Sequence, residues 1–116
     1  MKSWVYIISN KAMPNIVKIG YSLKDPELRA AELNHTGSPF PYIVDYEILV
    51  EDPRDIEHKA HFRLRERREG KEWFRCSVED AIAAIKSVVG SNALLENFKA
   101  QYGFQSVRLV RLLAVP

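Results

Sequence analysis

Residues 4–22, WVYIISNKAMPNIVKIGYS, decide how the rest of the chain must fold. Two runs rich in Val, Ile, Trp and Tyr, 3–9 and 15–21, read as strands, because branched and aromatic side chains pack well on a pleated surface. Between them, Asn10 and Met13-Pro14-Asn15 are turn chemistry: Pro14 cannot donate to a ladder and Asn tolerates turn dihedrals. The connection is longer than a two-residue hairpin, but an antiparallel pair is still predicted. Two residues go beyond what a hairpin needs. Lys18 interrupts the second strand, and Tyr6 stands in the middle of the first.

A third strand is predicted over 42–50, YIVDYEILV. Helices on either side of it start by one device, Asp25-Pro26-Glu27 and then Asp52-Pro53, an acid able to cap free amides ahead of a proline at the first helical position. The first helix covers 26–34 and ends at the breaker-rich NHTGSPFP; the second covers 53–68 and stops before Gly70. Ser77 caps a third helix, 78–89, whose Ala81, Ile82, Ile85, Val88 and Val89 recur at helical spacing up to Gly90. Residues 92–102, NALLENFKAQY, read as a fourth helix, and the apolar, basic tail 104–116 is left open between helix and strand. The expectation is an α/β fold of the α+β type: a small three-stranded, mainly antiparallel sheet (3–9, 15–21, 42–50) flanked by helices. Residues 1–90 would form the domain, with 91–116 packed on it or extending it.

The composition, 47% hydrophobic and 28% charged over 116 residues, is globular, and one domain of this size needs no disulfide or metal staple. Cys76 has no intrachain partner, and the N-terminus lacks a long apolar stretch with a small-residue cleavage site. These features lead us to expect a soluble cytoplasmic protein without a membrane partner. No glycine-rich phosphate loop is present, which argues against a nucleotide cofactor.

The net charge of +2 is small, but eight Lys or Arg against five acids fall between Arg54 and Arg75. The cations are densest in RLRERREGK, where Arg63, Arg65, Arg67, Arg68 and Lys71 are candidate phosphate contacts, gaining by release of condensed counterions. The interleaved acids suit a solvated helix face equally well.

Three groups of residues bear on chemistry. Tyr6, Lys18 and Tyr21 come together if the first two strands pair, and an ammonium beside a phenol favours the phenolate, a proton acceptor. The plain alternative is a core tyrosine with its hydroxyl bonded and an edge-strand lysine. Arg29 could fork onto a phosphate or simply be an exposed helix arginine. Glu57 and His61, with His58 between them, lie four apart on one helical face, and a single carboxylate is a usual anchor for Mg²⁺. Zinc fits poorly: EHKAH is not the His-Glu-x-x-His order, and one cysteine gives no paired-ligand spacing.

Taken in order, WVYII, KIG with ten residues between it and Ile7, and then DPELRAAELNHTGSPFPY and VEDPRDIEHKAHFRLRERREGKEWFRCSVEDAIAAI resemble the GIY-YIG endonuclease superfamily. The closer resemblance, over roughly 3–89, is to its T5orf172 branch, common in phage and bacterial genomes. The resemblance implies a metal-dependent endonuclease with one Mg²⁺ or Mn²⁺; DNA is the expected nucleic acid, with RNA left open. It places Tyr6 at the first-motif tyrosine that handles the attacking water, Gly20 at the motif glycine, Arg29 at the phosphate-binding arginine and Glu57 at the metal-binding glutamate. Lys18 stands where many members have tyrosine. Leu33 stands where His or Tyr is common, with His35 a substitute, and GKEWFRCS offers no clear match for an asparagine found in many members. The rival expectation is a catalytically inactive DNA-binding module of the same fold. So short a chain has little room for a recognition module, which leaves a homodimer open as the source of specificity.

Overall fold

The alternation in the opening hairpin sorts its side chains to the two faces of a sheet. In the computed structural model, which describes residues 2–23, 28, 40–91, 93–98 and 106–108, Ser3–Asn10 (β1) and Val17–Ser22 (β2) pair antiparallel. Val5, Ile7, Val17 and Ile19 are each at most 2% exposed and form the centre of the main core. Their alternates Tyr6 and Ile8 belong to a second, smaller cluster with Val44. The register sets Tyr6 opposite Gly20 and Ile8 opposite Lys18, so these four residues share the second face. The turn between the strands closes on itself: the Asn10 carboxamide oxygen accepts from the Ala12 amide, and Asn15 takes a left-handed φ of 65°.

Tyr42–Val50 (β3) pairs with the other edge of β1, with a bulge that sets Ile7 opposite Tyr46 and Ile8 opposite Val44. Next come Pro53–Arg63 (α1), a 3₁₀ turn at Arg65–Arg67, and the short strands Arg68–Gly70 (β4) and Trp73–Phe74 (β5). Val78–Val89 (α2), Ala93–Phe98 (β6) and Ser106–Arg108 (β7) complete the order. The strands form one antiparallel sheet, β4-β5-β2-β1-β3-β6-β7. Helices α1 and α2 cover the face carrying Val5 and Ile7: Ile56 and Ala60 of α1, and Ala81, Ile85 and Val89 of α2, join that core. Each fully buried Ile or Val contributes roughly 1.5–3 kcal/mol, so the inward side of the hairpin contributes substantially to stability.

The α2 start follows its expected cap, with the Ser77 hydroxyl accepting from the Asp80 amide at 3.0 Å. Ser77→Ala should cost about 1 kcal/mol, measured as a lower urea midpoint with an unchanged slope.

Three expectations need correction. Among the described residues the sheet has seven strands rather than three, since β4, β5, β6 and β7 extend it on both sides. The helix expected over 53–68 stops at Arg63. Its buried residues are Pro53, Ile56, Ala60 and His61, and residues 65–71 are all exposed, so no apolar face holds the helix together further. Instead the chain turns back and lays Phe74 beside Val17. The helix expected over 92–102 is a strand across 93–98. ALLENF is a short apolar run that periodicity does not resolve, and the open edge of β3 decides it: pairing satisfies that backbone and sets the Phe98 ring 5.1 Å from Tyr46. The helix expected over 26–34 lies outside the described residues, except for Leu28, which is helical. Among the described residues no helix is long and apolar enough to cross a membrane.

Candidate active site

β5 covers β2 only at Val17 and Lys18, so the backbone from Ile19 to Tyr21 must find other partners. The Ile19 N–H donates to the Glu72 carbonyl at 3.0 Å, and His61 Nε2 lies 2.8 Å from the Ile19 carbonyl oxygen. The Tyr21 N–H donates to the Glu57 carboxylate. Because Glu57 and His61 are one turn apart on α1, a single helix face supplies both side chains. A carbonyl can only accept, so Nε2 carries the imidazole proton and Nδ1 keeps a lone pair, 3.9 Å from Glu57 Oε1. Burial lowers the His61 pKa, with smaller contributions of both signs from the Ile19 carbonyl, Arg68, Glu72 and His58. The ring is neutral at neutral pH, and its approach to Glu57 is not an ion pair.

Glu57 is shifted in the other direction. Burial, and then the Glu72 carboxylate, raise its pKa from 4.5 to about 7, against the Tyr21 N–H, Lys18 and Arg54. Lys18 is therefore within electrostatic reach of Glu57 from its buried place beside Tyr6, with 8% of its surface exposed.

Gly20 joins the two faces of the sheet. A Cβ there would stand 2.6 Å from the Tyr6 hydroxyl oxygen and 2.8 Å from Glu72 Oε1. Tyr6 rises from the second face, 1% exposed, and its phenol occupies the space over β2 that a side chain would fill. Its ring end thereby reaches the edge where Glu72 and Glu57 lie. Glu72 is aimed there by a tight turn in which Lys71 adopts a left-handed φ of 48° and its carbonyl accepts from Arg68 Nε at 2.6 Å.

The result is a cleft of about 730 Å³ to which Tyr6, Tyr21, Glu57, His61 and Glu72 all contribute. Arg65, Arg68 and Lys71 form its basic rim, and no carboxylate among the described residues is ion-paired with them. The other two cations of the basic stretch lie elsewhere: Arg67 pairs with Asp80 at 2.9 Å, and Arg63 lines a separate depression with Val88. Arg29 and His35 lie outside the described residues.

No group of three or more His, Cys, Asp or Glu placed to hold a metal ion occurs among the described residues. The cleft's donors instead suit a hard divalent cation, which takes one or two carboxylates and completes its shell with water and phosphate oxygens. Glu57 fits such an ion, since a cation beside it would relieve the burial and repulsion that disfavour its charge.

Sequence reasoning missed Glu72. The acid sits in GKEWFRCS, a stretch read for an amide, and only the left-handed turn at Lys71 and the gap at Gly20 bring it to Tyr6. Phe62 was missed as well, an exposed aromatic on the cleft wall that helical spacing leaves unremarked.

The family model of the T5orf172 domain matches residues 3–89. No curated protein and no solved structure matches the chain.

Proposed function

The chain belongs to the T5orf172 domain family, within the GIY-YIG-like endonuclease superfamily, and from that premise we propose that it is a metal-dependent endonuclease hydrolysing phosphodiester bonds of DNA. One observation carries the reading: the Tyr6 phenol passes over Gly20 to meet the acidic edge formed by Glu72 and Glu57. A surface that only binds a polyanion gains nothing from carboxylates at the bottom of its cleft, because each repels phosphate. A hydrolytic site needs such groups.

Glu57 would hold one Mg²⁺ or Mn²⁺, with Glu72 close by, and the ion would supply charge stabilisation at the leaving oxygen. Tyr6 positions the attacking water and takes its proton, with Lys18 on the same sheet face. His61 fixes the β2 edge through Ile19 and leaves the Nδ1 lone pair toward Glu57. Arg65, Arg68 and Lys71 hold the backbone phosphates over the cleft. Arg29, by the family pattern, neutralises the phosphoryl oxygens in the transition state.

Tyr6→Phe removes one oxygen and keeps the packing. With Mg²⁺ or Mn²⁺ and a plasmid substrate it should cut about a hundredfold more slowly or worse, while the loss of one buried hydroxyl lowers the melting temperature by only a few degrees. Arg29→Ala should lose cleavage to a similar extent. Wild-type cutting rates in both variants would refute the assignment. DNA binding by a wild-type protein that never cuts would leave a binding module.

A further inference from the structure

Phe62 is the cleft residue that hydrolysis does not explain. It follows His61 on α1, lines the same cleft and is 63% exposed, although it is a large apolar ring on a helix otherwise polar toward solvent. The ring is nonetheless held in place. The Arg65 guanidinium lies 4.1 Å from its centroid, and Arg65 Nη1 donates to the Phe62 carbonyl at 2.9 Å. One face of the ring is thus covered by a cation with a fixed direction, and an exposure of 63% leaves the rest of the ring to solvent. Tyr21, 37% exposed, lines the same cleft and continues into an adjoining depression with Asp55 and Arg54.

We propose that Phe62, backed by Arg65, is a stacking platform for an unpaired nucleobase, so that the cleft takes nucleic acid with at least one unstacked nucleotide rather than an intact duplex. This rests on the endonuclease reading above and names its substrate class. The argument is one of complementarity. Arg68 and Lys71 on the rim answer the phosphate, whereas an exposed aromatic plane answers only a flat apolar group, and in a polyanion carrying phosphates that group is a base. In a duplex, bases are stacked on one another and offer no free face. A single strand, a frayed end or an extruded base does. Stacking on Phe62 would fix the strand beside Glu57, which lies five positions earlier on the same helix.

The test separates base from backbone and omits catalysis. In EDTA, binding of a fluorescent oligothymidylate of twelve nucleotides is compared with that of an abasic strand of equal length and charge, for wild type and Phe62→Ala. Wild type should prefer the base-bearing strand by roughly tenfold or more, and Phe62→Ala should lose that preference. The salt dependence of binding should stay the same, because no phosphate contact has been removed. Arg68→Ala should do the reverse, keeping the preference and lowering the salt slope. Equal wild-type affinity for the two strands, or an undiminished preference in Phe62→Ala, overturns the platform and leaves the endonuclease reading in place. Failure of wild type to bind either strand overturns both.

Discussion

Glu57→Gln should abolish nucleic-acid cleavage and make the protein more stable at pH 8. The loss of activity follows from removing the carboxylate that would hold the divalent ion, a change expected to cost about a hundredfold or more. The gain in stability follows from the raised pKa. Glu57 titrates at about 7 in the folded protein against an ordinary value of 4.5, because burial and the Glu72 carboxylate disfavour its charge. The folded state therefore holds this proton more tightly than the unfolded chain does. Its stabilising contribution is fully present below pH 4.5 and is lost as pH rises through about 7. Above that range the ionised side chain is a burden on the order of 1–3 kcal/mol, which a neutral glutamine of the same shape avoids.

Thermal melts in EDTA check this directly. The variant should melt higher than wild type at pH 8, and the difference should vanish near pH 4.5. Adding Mg²⁺ at pH 8 should raise the wild-type melting temperature and leave the variant unmoved, since a ligand stabilises only the state that binds it. An equal response of both proteins to Mg²⁺ would remove Glu57 from the cation site. A variant less stable than wild type at pH 8 would mean that its charge is not under strain.

Gly20→Ala is expected to be the most damaging glycine-to-alanine change among the described residues. The new carbon would lie 2.6 Å from the Tyr6 hydroxyl, 2.7 Å from Tyr6 Cζ and 2.8 Å from Glu72 Oε1. Glu72 can yield by rotating its end. Tyr6 cannot yield easily, because it is 1% exposed and rises from the middle of β1 with paired strands on both sides. Overpacking of this kind costs roughly 1–3 kcal/mol. Cleavage should fall further than in Tyr6→Phe, because both the phenol and Glu72 are displaced.

A double-mutant cycle distinguishes this clash from a loss of backbone freedom. With Tyr6→Ala already in place the methyl has room, so Gly20→Ala should then cost little, and the two stability losses should fall well short of additive. Strict additivity in urea denaturation would show that the phenol and Gly20 do not share that space. A fully active, fully stable Gly20→Ala variant would show the same.

The opening hairpin was legible in the sequence because its period is strict. Val5, Ile7, Val17 and Ile19 alternate cleanly, and one register buries all four. Tyr6, Glu57 and His61, candidates from the sequence, line one cleft, the last two because they share a helix face. The C-terminal strands were not legible. Whether ALLENF becomes helix or strand depends on the unfilled edge of β3, which no local window contains. Glu72 was hidden for a related reason. Its place is set by a two-residue strand and a left-handed lysine, features too short to leave a periodic trace. The basic stretch was legible only in bulk: Arg65, Arg68 and Lys71 reach the cleft while Arg63 and Arg67 do not, because the chain leaves the helix at Arg63.

The half-covered edge of β2 has a consequence for solubility. An uncovered strand edge is a template on which another chain can add itself, the first step toward aggregation. Here that edge is blocked by side chains and a turn: His61 on the Ile19 carbonyl, Glu57 on the Tyr21 amide and the Glu72 backbone on the Ile19 amide. Two side chains of the cleft thus also act as gatekeepers against self-association. A variant made by truncating Glu57 and His61 to alanine would bare the edge, and loss of cleavage would then be confounded with aggregation. Glutamine at 57 keeps an oxygen for the Tyr21 amide, so it silences the chemistry while leaving the edge guarded.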